Sequence, residues 1–219
     1  MDTEDLKNFL SVSASLCAIL QFLTGILVCQ KVVQNKSTGD NSAFPFVSGC
    51  LSTALWLRYG FLIEDRSIIL VNTVGSALFV GYVVVFYIYS VKTEFIVRQI
   101  LVCGLFLLLT LLYVERATQV TEAQNHLGVI CTAVTILFFA APLSSLLHVI
   151  KVKNTESLPY PIILASFVVC LQWLVYGYLL EDMFIQIPNF LGALLSGFQL
   201  SLFYVYPNVK SKVYANDII

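Results

Sequence analysis

Charge is what this sequence has least of. Only 11% of its 219 residues are Asp, Glu, Lys or Arg, against roughly 25% in soluble domains, whereas 58% are hydrophobic and the mean hydropathy is +0.87. A chain of this length cannot bury that much apolar surface in a core of its own, which excludes a water-soluble globular domain. The net charge of −1 leaves no basic face, so we expect no nucleic-acid partner.

Groups that support catalysis or metal binding are equally scarce. The two histidines, His126 and His148, fall at predicted helix ends without partners nearby. The six cysteines all lie in apolar runs, which favours free thiols over a disulfide framework: Cys17, Cys29, Cys50, Cys103, Cys131 and Cys170. We therefore expect no enzymatic activity, no metal and no cofactor.

Seven apolar runs of about 17 to 23 residues fill the chain, each near the ~20 residues that a helix needs to cross a bilayer. They cover approximately residues 9–29, 45–63, 67–89, 96–114, 127–149, 161–180 and 184–206. The acidic start "MDTEDLKNF" differs from the basic start of a secretory signal, so the first run is expected to be a retained helix. The composition thus predicts an all-α protein with seven transmembrane helices in the lipid bilayer.

The loops between these runs differ in basic charge. Eight lysines and arginines fall on one side and three on the other, which places the N-terminus outside and the C-terminus in the cytosol.

A repeat divides the chain. "WLRYGFLIEDRSIILVN" at residues 56–72 recurs 117 residues later as "WLVYGYLLEDMFIQIPN", and about a quarter of positions match between 10–89 and 127–206. Both Glu-Asp turns fall on the same side, so two parallel three-helix bundles need one inverting helix between them. We predict a 3+1+3 fold: residues 1–90, a linker helix within 91–122, the second bundle in 123–206 and a cytosolic tail in 207–219. Parallel repeats are a transporter plan, with the substrate near the midplane between the halves.

Two tryptophans and two asparagines recur within the repeat. Counting 1.5 Å per helical residue from the Glu-Asp turns puts Trp56, Asn72, Trp173 and Asn189 roughly 10 to 12 Å deep, where a substrate would bind. Single residues of these types more often form an interfacial belt or join helices. Indole faces and amides suit a neutral polyol, and no acidic residue lies mid-span to couple transport to protons or sodium.

Other residues are candidates for a gate and for hinges. Tyr59, Asp65, Tyr176 and Asp182 crowd the outer end and are predicted to form an outer gate, although an aromatic belt with solvated acids is the alternative. Candidate hinges lie at the cytosolic ends of helices, as Pro45, Pro142, Pro159 and Pro161, and Gly25 is the flexible counterpart of Pro142 in the first copy.

The whole chain resembles the animal branch of the SWEET sugar transporters, within the PQ-loop superfamily. The likeness rests on the 3+1+3 layout, "KST" at 36–38, "VNTVG" at 71–75, "IPNFLG" at 187–192 and the paired "WLRYG" and "WLVYG". It implies a bidirectional uniporter for a neutral sugar, working by alternating access in the plasma membrane and/or Golgi, with association into a homo-oligomer left open.

The resemblance also implies residue roles. In the family, equivalents of Asn72, Asn189 and Trp173 contact sugar, whereas the position of Trp56 varies. The tyrosines and Asp182 correspond to its outer gate. Three of four hinge prolines match Pro45, Pro142 and Pro159, and Gly25 stands at the fourth position.

Two other functions compete with this interpretation. Another PQ-loop carrier, such as an organellar amino-acid exporter, would typically contain a Pro-Gln dipeptide, which this sequence lacks. A seven-helix receptor would show no parallel repeat and would have longer loops.

Overall fold

The computed structural model describes residues 3–206, and they form helices with no strand among them. In chain order the helices are α1 (Thr3–Asn35), α2 (Phe44–Leu62), α3 (Arg66–Tyr89), α4 (Thr93–Val114), α5 (Val120–Leu137), α6 (Ala140–Val152), α7 (Tyr160–Leu179) and α8 (Met183–Val205). The all-α prediction is confirmed. The predicted tail at 207–219 lies outside the described residues.

Six helical segments are long and apolar enough to cross a membrane, with α5 and α6 counted together as Val120–Val152. The seventh predicted span is α2, which has 19 residues and is less apolar because it carries Ser48, Ser52, Thr53 and Arg58. α2 packs along α3 and returns the chain between α1 and α3, so it completes the predicted set of seven.

The fifth predicted span is broken. α5 ends at Leu137 and α6 begins at Ala140, with a turn at Phe138 and Phe139. Pro142 explains the break, because its nitrogen has no hydrogen to donate to the Phe138 carbonyl and its ring collides with that carbonyl. The first copy has Gly25 at the equivalent position, and α1 runs through it unbroken.

The repeat is visible in the helix bounds. Adding 117 to the ends of α1, Thr3–Asn35, gives the first residue of α5 and the last of α6. The same shift relates the two pairs of non-glycine residues with positive φ: Lys36 with Lys153, and Glu64 with Glu181. We call the end with the turns at 63–65 and 180–182 the Glu-Asp end, and the end with Lys36 and Lys153 the lysine end.

Each turn at the Glu-Asp end joins two helices with few residues. The Asp65 N–H donates to the Gly60 carbonyl at 3.0 Å, which closes α2 around the left-handed Glu64, and the Asp65 carboxylate then accepts from the Ile68 N–H at 2.9 Å to begin α3. The second copy repeats this arrangement at Gly177, Glu181 and Asp182. The repeated Glu-Asp pair is therefore a helix-turn-helix connection as well as a polar end.

The repeated glycines permit this close return. A Cβ at Gly60 would lie 2.9 Å from the Ile68 Cγ2 and 3.1 Å from the Ile69 nitrogen, and one at Gly177 would lie 2.9 Å from the Ile185 Cγ2. We expect Gly60→Ala or Gly177→Ala to destabilise the protein by about 1 to 3 kcal/mol, because the isoleucine side chain must shift in each case and, at Gly60, the Ile69 backbone as well.

Thermal unfolding of the detergent-solubilised protein, followed by fluorescence-detected size exclusion, measures this effect. Gly81→Ala is the matched control, since no atom of residues 3–206 lies within 4 Å of its Cβ position. A Gly60→Ala protein as stable as that control would contradict the packing explanation.

The hydrophobic cores differ between the two ends. At the Glu-Asp end one core spans both halves and includes Leu55 and Leu127, both 0% exposed. At the lysine end the halves have separate cores, one around Val32 and Phe86 and the other around Val149. The halves therefore meet at one end and part toward the other.

Candidate functional site

A cavity of about 830 Å³ lies between the two halves. This volume is within the ~300 to 1,000 Å³ typical of small-molecule sites. It reaches Phe44 and Pro45 in the first turn of α2, at the lysine end. No charged side chain of the described residues lines it. The lining residues are Ala18, Gln21, Phe22, Phe44, Pro45, Ser48, Gly49, Ser52, Thr53, Trp56, Ile68, Val71, Asn72, Phe79, Thr135, Leu137, Phe138, Ala140, Val169, Trp173, Ile185, Pro188 and Asn189.

All four residues predicted to bind substrate line this cavity. The amide Nδ2 of Asn72 donates to the Ile68 carbonyl at 2.8 Å, and that of Asn189 donates to the Ile185 carbonyl at 2.8 Å. Each bond runs back one helical turn and uses one amide hydrogen. The second N–H and the side-chain carbonyl of each asparagine stay available to a ligand.

The two tryptophans are held by the tyrosines one turn further along their helices. The rings of Trp56 and Tyr59 lie 5.5 Å apart at 88°, and those of Trp173 and Tyr176 lie 5.5 Å apart at 85°. These edge-to-face contacts fix each indole relative to its neighbouring tyrosine. The indole Nε1 of Trp56 also donates to the Thr135 hydroxyl across the halves at 3.1 Å.

The predicted gate residues pair between the halves. The Tyr59 hydroxyl donates to the Asp182 carboxylate at 2.7 Å, and the Tyr176 hydroxyl donates to the Asp65 carboxylate at 2.6 Å. Both tyrosines are buried, at 2% and 3% exposure. Bonds of a hydroxyl to a carboxylate are shorter and stronger than neutral ones. Together with the shared core, these bonds close the cavity at the Glu-Asp end.

The candidate hinge residues have different surroundings. Pro45 and Pro161 lie in the first turns of α2 and α7, and Pro159 is the residue before α7, where a missing N–H breaks no helical bond. Pro142 lies within α6, and its carbonyl accepts from the Gln199 amide at 3.1 Å. Gly25 packs against the Tyr82 ring, which occupies the space of a Cβ. Their role as hinges stays a prediction.

Comparison with known proteins identifies the family. The profile of the family described as "Sugar efflux transporter for intercellular exchange" matches residues 8–94 and 125–211, so both repeats are recognised. A fly protein named "Sugar transporter SWEET1", from Drosophila pseudoobscura pseudoobscura, is 52% identical over 202 residues, covering 91% of this chain and 89% of the relative. This chain belongs to the SWEET family of sugar transporters. It is an integral, multi-pass membrane protein.

Other SWEET proteins extend the likeness. "Sugar transporter SWEET1" of Caenorhabditis elegans is 38% identical, with 93% of this chain and 67% of the relative covered. A solved structure of a eukaryotic SWEET transporter matches this SWEET chain with a TM-score of 0.81 and 25% identity, covering 92% and 98% of the two chains. The recognition made from sequence motifs is confirmed.

Several cavity residues of this SWEET were not predicted from the repeat. Gln21, Ser52 and Thr135 line the cavity, but their counterparts 117 residues away are Phe138, Val169 and Ala18. Residues that differ between the two copies cannot be recognised as site residues from the repeat. Only their helical depth, shared with the repeated tryptophans, could have indicated them.

Proposed function

We propose that this SWEET carries a neutral sugar, glucose or a related monosaccharide, in either direction down its concentration gradient. The main support is the cavity between the two halves, which are joined at one end. Both tryptophans and both asparagines line this cavity, and no charged side chain of the described residues does. Indole faces stack on the C–H faces of a pyranose, and the free amide groups pair with its hydroxyls.

Alternating access follows from how the halves meet. With the Tyr–Asp pairs formed at the Glu-Asp end, the cavity extends to Phe44 and Pro45 at the lysine end. In the opposite state these pairs break and the separate cores at the lysine end come together. The excess of basic loop residues supports the lysine end as the cytosolic one, so the described state is inward-open. The plasma membrane and/or the Golgi is proposed as its location from the family resemblance.

The asparagines provide the first functional prediction. We expect Asn72→Ala and Asn189→Ala each to raise the concentration of glucose needed for half-maximal transport by about 30-fold. Two lost hydrogen bonds of roughly 1 kcal/mol each account for this change. Uptake into proteoliposomes, normalised to reconstituted protein, measures it. Asn125→Ala is the control, because Asn125 is exposed on α5 and does not line the cavity. Wild-type uptake by either cavity variant would make that asparagine a helix-packing residue.

Transport is expected to be uncoupled from ion gradients. No carboxylate of the described residues lines the cavity, whereas coupled carriers usually have one in the membrane. Glucose counterflow in proteoliposomes should proceed at the same rate with proton and sodium gradients collapsed as with them imposed. Strict dependence on either gradient would overturn the uniporter mechanism. Competition by amino acids but by no monosaccharide would favour another type of PQ-loop carrier.

A further inference from the structure

The two halves of the cavity differ at one pair of equivalent positions, Thr135 on α5 and Ala18 on α1. The Thr135 hydroxyl donates to the Cys131 carbonyl at 2.8 Å and accepts from the Trp56 indole at 3.1 Å. Because the hydroxyl hydrogen is already used on the backbone, its lone pairs face Trp56. Thr135 therefore fixes the indole of the opposite half.

Trp173 has no such partner among the described residues. Its equivalent neighbour would be Ala18, whose methyl group cannot accept a hydrogen bond. Within residues 3–206, no group accepts a hydrogen bond from the Trp173 Nε1, although the residue lines the cavity. A half-buried indole whose N–H has no acceptor among these residues, on a side chain that lines a cavity, favours a ligand that supplies an acceptor.

We infer that the cavity binds its sugar in one orientation, with the Trp173 indole donating a hydrogen bond to a sugar oxygen and Trp56 offering only its ring face. Thr135 is a positioning residue that keeps the Trp56 N–H away from the sugar. Two identical halves would accept a sugar equally well in two poses related by the pseudo-twofold axis. The difference between Thr135 and Ala18 removes that equivalence. This inference rests on the proposed function, since it concerns the same cavity.

The chain is suited to a direct test because it contains only two tryptophans. In ¹⁵N-tryptophan-labelled protein in nanodiscs, each indole N–H gives one NMR cross-peak, assigned with Trp56→Phe and Trp173→Phe. Adding D-glucose should shift the Trp173 peak strongly and leave the Trp56 peak nearly unchanged.

Two substitutions exchange the properties of the halves. Thr135→Val keeps the shape of the side chain but removes the acceptor, so the Trp56 peak should move without sugar and should then respond to D-glucose. Ala18→Thr adds the missing acceptor, so the Trp173 peak should move without sugar. The affinity of the Ala18→Thr protein for D-glucose should fall about five- to tenfold, the effect of one hydrogen bond. Thr73→Val is the control, because Thr73 is exposed on α3 and its hydroxyl donates to the Ile69 carbonyl of its own helix.

The outcomes separate the inference from the function on which it rests. If D-glucose binds and shifts both indole peaks equally, or shifts Trp56 alone, the single orientation is wrong. If Thr135→Val leaves the Trp56 peak in place without sugar, the positioning role is wrong. If no monosaccharide shifts either peak or is transported, the proposed function itself fails, whatever the substitutions do without sugar.

Discussion

Trp56→Ala and Trp173→Ala should each abolish sugar transport almost completely, while the protein still folds and reaches the membrane. Each indole forms one wall of the cavity and packs on the edge of a gate tyrosine. Alanine removes the surface on which a sugar ring stacks, and aromatic side chains bury some 150 to 250 Å² each. Trp56→Phe should weaken binding only mildly, because a smaller aromatic face remains. Trp173→Phe also removes the indole N–H, so it should cost a further factor of about five to ten in affinity, the effect of one hydrogen bond.

Radiolabelled glucose uptake, normalised to folded protein in the membrane, measures this effect. Phe61→Ala serves as the control, since Phe61 lies on the same helix as Trp56 but is 54% exposed. An interfacial-belt role would instead lower the amount of protein and leave uptake per molecule intact. Normal binding of sugar by folded Trp56→Ala would falsify the stacking role.

Removing the two gate hydroxyls together should shift the resting conformation of the carrier. In Tyr59→Phe with Tyr176→Phe, the Asp182 and Asp65 carboxylates lose the hydroxyls that hold the halves together. Hydrogen bonds to charged groups contribute about 1.5 to 3 kcal/mol each. Loss of both therefore disfavours the state closed at the Glu-Asp end by about 3 kcal/mol or more, roughly a hundredfold change in population.

Spin labels at residues 64 and 181 report this change, because Glu64 and Glu181 are exposed and lie one in each half at the Glu-Asp end. In a cysteine-free background, the distance between the labels should be longer in the double variant and intermediate in each single variant. Tyr178→Phe is the control, since Tyr178 is 69% exposed on α7. An unchanged distance distribution would show that the shared core alone closes this end.

Much of the fold could be predicted from the sequence, because it depends on properties of single helices. The scarcity of charge predicts membrane helices, since lipid leaves the backbone no other way to satisfy its polar groups. The shift of 117 residues predicted equivalent helices, and their bounds agree. Depth along a helix follows from a count of residues, so the sequence also predicted that both tryptophans and both asparagines lie at one depth. In the structure all four line one cavity.

Relations across the halves required the tertiary structure. The repeat shows that Tyr59 is equivalent to Tyr176 and Asp65 to Asp182, but not that each tyrosine bonds the aspartate of the other copy. The repeat also gives no indication that Thr135 lines the cavity, because the equivalent residue in the first copy is Ala18. Which end is closed depends on the packing of Leu55 against the other half, a contact between residues far apart in the chain. Hydropathy and periodicity describe one helix at a time, whereas the Tyr–Asp pairs, the shared core at one end and the Trp56–Thr135 bond arise only where two helices from different repeats meet.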